Sequence, residues 1–129
     1  MIETCAVIGK NGDVLLWHEP AKRTGGSIPD SFDLWVFLLE NKDKIQGVAH
    51  SHPGSGRAWP SYEDVTTFSA VERGLGCKLD WWIVTENTLM LLRSENWKKG
   101  FERLEDVTPR SWLNELRRLS GYYEEKENG

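Results

Sequence analysis

The run "KIQGVAHSHP", Lys44 to Pro53, constrains the fold more than any other stretch of this chain. Its small and apolar residues read as a strand, and Pro53-Gly54 must break it, because proline has no N–H to offer a ladder. Beyond a glycine-containing loop, Pro60 precedes a segment over about 61–74 in which Val65, Phe68 and Val71 share one helical face. Gly74 and Gly76 can terminate that helix. "LDWWIV" then reads as another strand. A strand, a helix and a strand in immediate succession point to a sheet flanked by helices.

The rest of the chain extends this pattern. "ETCAVIG" and "DVLLWHE" read as two strands around "KNGD", with Asn11-Gly12 expected to supply the positive-φ residues of a tight hairpin turn. "PAKRTGGSIPD" is a polar loop. Residues 30–42 read as a helix capped by Asp30 or Ser31, with Phe32, Trp35, Val36 and Leu39 at helical spacing. Leu34, Phe37 and Leu38 widen that stripe, so more than one side of the helix is expected to be covered. "TLMLLR" is a further strand, joined to "LDWWIV" through Thr85-Glu86-Asn87. From Pro109 a last helix places Trp112, Leu113, Leu116 and Leu119 on one stripe, and a polar tail from about 120 to 129 is expected to fray. The expected order is β-β-α-β-α-β-β-α: an α/β fold, one domain over 1–129, with a mixed curved sheet flanked by helices.

Composition narrows the setting. The chain has 129 residues, enough for one core, and seven tryptophans to fill it. Its net charge of −4 is spread along the chain without a basic stripe or polybasic patch, which argues against nucleic acid and membrane surfaces as partners. No apolar run approaches the ~20 residues of a membrane span, and the N-terminus lacks the charged and apolar regions of a secretory signal. Cys5 and Cys77 are too few for a disulfide scaffold and read as free thiols. A reducing cytoplasmic compartment is expected.

Two of the chain's three histidines stand one residue apart, His50 and His52. In a strand, residues two apart point to the same face, so both imidazoles project in parallel. That suits two ligands of one tetrahedral zinc. Ser61 stands where a helix N-cap belongs, and Asp64 three residues later resembles the partner of a capping box. Asp64 is thereby in the first helical turn, placed to reach back to the strand end. Two histidines and one carboxylate leave a fourth position open, as catalytic zinc sites do. A short-range His-x-His alone is weak evidence for metal, and Ser61 with Asp64 alone reads equally well as ordinary capping. The combination, H-S-H-P, seven residues, then S-x-x-D, is far more restrictive.

"HSHPGSGRAWPSYED" resembles the signature of the JAMM (MPN-plus) zinc metallopeptidases, H-[ST]-H-P-x7-S-x-x-D, without a mismatch. The likeness covers roughly residues 2–95. It implies a fold like that of cytidine deaminases and one zinc per chain, held by His50, His52 and Asp64. It also implies a glutamate on the first strand, acting as general base and then acid, in a context where "ETCAVIG" matches at Glu3 and Cys5. Glu19, in "HEPAK", is the alternative. Ser61 would help stabilise the oxyanion. The chemistry agrees: zinc acidifies a bound water to a pKa near ~7 and polarises a carbonyl, a carboxylate shuttles the proton, and a hydroxyl donates to the developing alkoxide. Two departures stand out. The family usually carries a helix before the glutamate strand, whereas this chain begins almost at the strand; either that helix is missing or the terminal helix fills its place. The insertions with which eukaryotic deubiquitinases grip ubiquitin look short or absent.

Other residues carry less. Cys5 shares a strand face with Glu3 and reads as a small core residue, since no histidine is free to activate it. Trp59 either flanks the substrate channel or packs the loop. Lys22 and Arg23, beside Gly25-Gly26, read as a solvated loop with a flap as the alternative. Trp81 and Trp82 point to opposite faces, so both faces of their strand are expected to be covered. His18 has no ligand partner in sequence and reads as structural or exposed. The expected function is a zinc-dependent peptidase or isopeptidase, acting on the C-terminus of a ubiquitin-like modifier or on an extended peptide tail. The alternatives are a phage tail-assembly or processing peptidase and a non-catalytic MPN-type scaffold. Scaffolds of that type have typically lost metal ligands, and all five positions are present here. Zinc deamination is disfavoured, because neither cysteine stands in a P-C-x-x-C pattern.

Overall fold

The computed structural model describes residues 3–18, 32–52 and 58–122. Strands β1 (Cys5–Gly9) and β2 (Val14–His18) form a hairpin. Helix α1 (Phe32–Asn41) leads through a short 3-10 turn at Lys42–Lys44 into β3 (Ile45–Ser51). Helix α2 (Tyr62–Leu75), β4 (Asp80–Val84), β5 (Leu89–Arg93), β6 (Glu102–Glu105) and α3 (Leu113–Leu119) complete the order. The six strands form one sheet in the order β2-β1-β3-β4-β5-β6. Only β3 and β4 pair in parallel, so the sheet is mixed and α2 is the crossover between its central strands.

The α/β architecture agrees with the sequence pattern, and β6 adds a strand to it. "ERLE" carries three charges over four residues and pairs only with β5, so it has neither the alternation nor the apolar content of an interior strand. The first hairpin also differs in detail. Gly12 N–H donates to the Gly9 carbonyl at 2.9 Å, and Gly12 alone takes positive φ, at 91°. Asn11 stays at negative φ, and its side chain instead accepts from Asp13 N–H at 3.1 Å. The turn is thus a three-residue type with glycine at the left-handed position.

The two faces of the sheet are covered separately. Leu38 of α1 and Phe68, Val71 and Leu75 of α2 pack on one face with Cys5, Val7, Val48, Trp81 and Ile83. Trp112, the N-cap of α3, and Leu116 of α3 pack on the other with Ala6, Ile8, Ala49, Trp82 and Val84. Trp81 and Trp82 therefore serve opposite cores, as their alternation requires. Phe68 stacks on Trp81 with centroids 4.2 Å apart. Close approach of β3 and β4 depends on Gly47, where a Cβ would lie 2.0 Å from the Asp80 carbonyl oxygen.

The polar tail begins later than its composition suggests. Ser120 and Tyr122 are buried against the second core, and Tyr122 continues the spacing of Trp112, Leu116 and Leu119. Residues 123–129 lie outside the described residues. Both cysteines are free, Cys5 buried and Cys77 half-buried. Among the described residues, no helix is long and apolar enough to cross a membrane.

Candidate metal centre

The sheet brings His50 and His52 to the end of β3 on the face covered by α1 and α2. Cys5 pairs with His50 across β1 and β3, and the Phe68 ring meets the His50 ring edge-on at 5.8 Å. The backbone of β3 continues past Ser51, with His52 N–H donating to the Val84 carbonyl at 2.9 Å. The alternation that aligns the two imidazoles therefore holds through His52.

Helix α2 supplies the third group. Ser61 is its N-cap: Asp64 N–H donates to Ser61 Oγ at 3.0 Å, and Ser61 N–H donates to Asp64 Oδ2 at 3.0 Å. This reciprocal pair is a complete capping box with aspartate in the glutamate position. It also fixes the aspartate rotamer, and the same Oδ2 faces the histidines. His50 Nε2 and His52 Nε2 are 3.0 Å apart, His52 Nε2 is 3.1 Å from Asp64 Oδ2, and His50 Nε2 is 3.7 Å from it.

These separations decide what the cluster can hold. A tetrahedral ion ~2.0–2.1 Å from its ligands needs them ~3.3–3.4 Å apart, close to the spacing seen here. A single proton on His52 Nε2 serves either Asp64 or His50 and not both, whereas one cation can meet a lone pair of each of the three atoms. His50, His52 and Asp64 can therefore hold a metal ion, the one such group of three among the described residues.

The electrostatics keep the carboxylate ready. Burial pushes Asp64 upward, but hydrogen bonds to His50 and His52, the charge of His50 and the Ser61 N–H outweigh it. The net effect holds Asp64 well below the usual carboxylate range, so it stays ionised across working pH.

Glu3 is buried, at 5 % exposure, just before β1. Ser51 N–H donates to the Thr4 carbonyl at 3.0 Å, extending the Cys5–His50 register. Glu3 thus stands two residues ahead of the Cys5–His50 pair, near the strand end that carries the histidines. Its charge reaches Cys5: burial first, then Glu3, pushes that thiol up to about 12. Cys5 is accordingly a protonated core residue. Glu19, Lys22, Arg23 and the expected caps Asp30 and Ser31 lie outside the described residues.

Trp59 is half-exposed just ahead of the capped helix, its ring carrying the Arg103 guanidinium at 4.3 Å and meeting Phe101 edge-on. Tyr62, 87 % exposed, follows Ser61. His18 is half-buried beside Cys5 on β2, and burial lowers its pKa. Its Nε2 is buried with no hydrogen-bond partner among the described residues.

Sequence reasoning missed the support behind the site. Thr4 N–H donates to Ser51 Oγ at 2.9 Å, and Ser120 Oγ donates to Ser51 Oγ at 2.7 Å. The Tyr122 hydroxyl donates to the His52 carbonyl. The spacing of Tyr122 from Trp112, Leu116 and Leu119 was the available signal. Comparison with protein-family models gives no match, and no curated protein matches the chain significantly.

Proposed function

We propose that this chain is a metal-dependent hydrolase, and specifically a zinc peptidase or isopeptidase of the JAMM type. The observation that carries the reading is the convergence of His50 Nε2, His52 Nε2 and Asp64 Oδ2 at separations that suit a tetrahedral ion. A bound zinc would supply Lewis acidity, bringing the pKa of a water toward ~7 and polarising a carbonyl.

The chain's own residues do the rest. Glu3, buried two residues ahead of the Cys5–His50 pair, takes a proton from the attacking water and passes it to the leaving amine. Ser61 accepts its cap bond through a lone pair, which leaves its O–H proton for the oxygen on which charge develops. Trp59 and Tyr62 offer exposed aromatic surface beside the capped helix, suited to an extended polypeptide tail. The C-terminus of a ubiquitin-like modifier is one such tail and an assembly or processing peptide is another.

The test is hydrolysis of tail peptides and modifier fusions by zinc-loaded protein, by chelated protein and by Glu3→Gln. Activity is expected only in the first, with zinc retained in Glu3→Gln. Cleavage that survives chelation, or the glutamine substitution, contradicts the reading.

A further inference from the structure

The face of the sheet turned away from the histidines carries a hydrogen-bonded cluster that ends on the same backbone. Ser51 stands between the two histidines, so its side chain points to the α3 side. There it receives Thr4 N–H at 2.9 Å, and its own hydroxyl lies 3.4 Å from the Thr4 carbonyl. Ser120, one residue past α3, places its hydroxyl 2.7 Å from Ser51 Oγ and 2.7 Å from the Leu116 carbonyl. Thr4, Ser51 and Ser120 are fully buried. Tyr122 is buried too. Its hydroxyl donates to the His52 carbonyl and lies 3.1 Å from the Val84 carbonyl, which already accepts from His52 N–H. Arg117 secures the same end of the sheet, donating to the Thr85 and Thr88 carbonyls at 2.9 and 3.2 Å.

Three of these contacts land at or beside a functional residue. Ser51 separates the two histidines, the His52 carbonyl belongs to a ligand, and Thr4 follows Glu3. We propose that Tyr122, Ser120 and Ser51 are positioning residues for the metal centre, and that docking of residues 120–122 and binding of the ion are coupled. The coupling rests on the metal reading above. With the last turn of α3 seated, the strand end is fixed and both imidazoles start in the geometry the ion needs. With the turn released, that geometry must be recovered at the expense of affinity. Linkage makes the effect reciprocal, so the ion must in turn hold 120–122 in place.

The test measures zinc affinity of metal-free protein by competition with a chromophoric chelator. Tyr122→Phe is expected to bind zinc about tenfold more weakly, the scale of an outer-shell substitution, and Tyr122→Phe with Ser120→Ala more weakly still. Leu75→Val, at the far end of α2, serves as a stability control and is expected to lower the melting temperature without changing zinc affinity. Hydrogen exchange over 116–122 is expected to slow on zinc addition in the natural protein and not in His52→Ala. Zinc affinity unchanged in Tyr122→Phe, or exchange unmoved by zinc, overturns the coupling while His52→Ala still shows zinc loss. If His52→Ala binds zinc as the natural protein does, the metal centre itself fails, and the coupling with it.

Discussion

Ser61→Ala separates two jobs that one side chain holds. The capping box has two bonds, and alanine removes only one. Asp64 N–H loses its acceptor at Ser61 Oγ, whereas Ser61 N–H is backbone and continues to hold Asp64 Oδ2. The loss should therefore fall near the middle of the ~0.5–2 kcal/mol range for N-cap substitutions, about 1 kcal/mol. For a domain of this size that lowers the melting temperature by about 3–5 °C. Because Asp64 Oδ2 keeps its orienting bond, zinc content should not change. Turnover should fall by about a hundredfold if the hydroxyl also donates to the developing oxyanion. The assay pairs thermal unfolding of chelated protein with kcat of the zinc-loaded form, and Ser61→Thr should restore both. A destabilised Ser61→Ala with near-normal kcat would reduce Ser61 to a cap. Unchanged stability would refute the capping argument itself.

Cys5 should resist thiol reagents at pH 8, where a group pushed up to about 12 is almost wholly protonated, while the half-buried Cys77 reacts; rapid labelling of both thiols contradicts this. The same shift has a stability consequence. The folded pKa is raised from 9.0, so its contribution is fully present below pH 9 and declines as pH rises toward 12. Cys5→Ala should flatten that alkaline decline in denaturant titrations. Glu72 of α2 accepts from Leu79 N–H, Trp81 Nε1 and Trp97 Nε1 at 3.0, 2.9 and 2.8 Å, all three bonds buried. Glu72→Ala strands three donors and should cost about 3 kcal/mol or more by urea unfolding; a loss below about 1 kcal/mol is the contrary result.

What the sequence disclosed here follows from how local each rule is. The parallel imidazoles of His50 and His52 need only strand alternation, and the Ser61–Asp64 pair needs only one helical turn. Both are therefore written within fifteen residues of one another. β6 was hidden because a charged edge strand lacks a periodic signal and is defined by its partner β5. Tyr122 looks like tail in the sequence because its acceptor, the His52 carbonyl, lies 70 residues away. The Asn11-Gly12 pair suggested the right hairpin and the wrong turn: the Asn11 side chain accepts from Asp13 N–H, and only Gly12 takes positive φ. His18 reads from sequence as structural or exposed, and its half-burial comes from the fold of β2 against β1.

The metal centre is tested most directly by counting zinc in purified protein by elemental analysis, beside His52→Ala and Asp64→Asn prepared identically. One zinc per chain is expected in the natural protein and close to none in His52→Ala, with both variants keeping the folded circular dichroism spectrum. Equal zinc content in all three proteins, or none in the natural protein supplied with zinc, contradicts the assignment of His50, His52 and Asp64 as ligands.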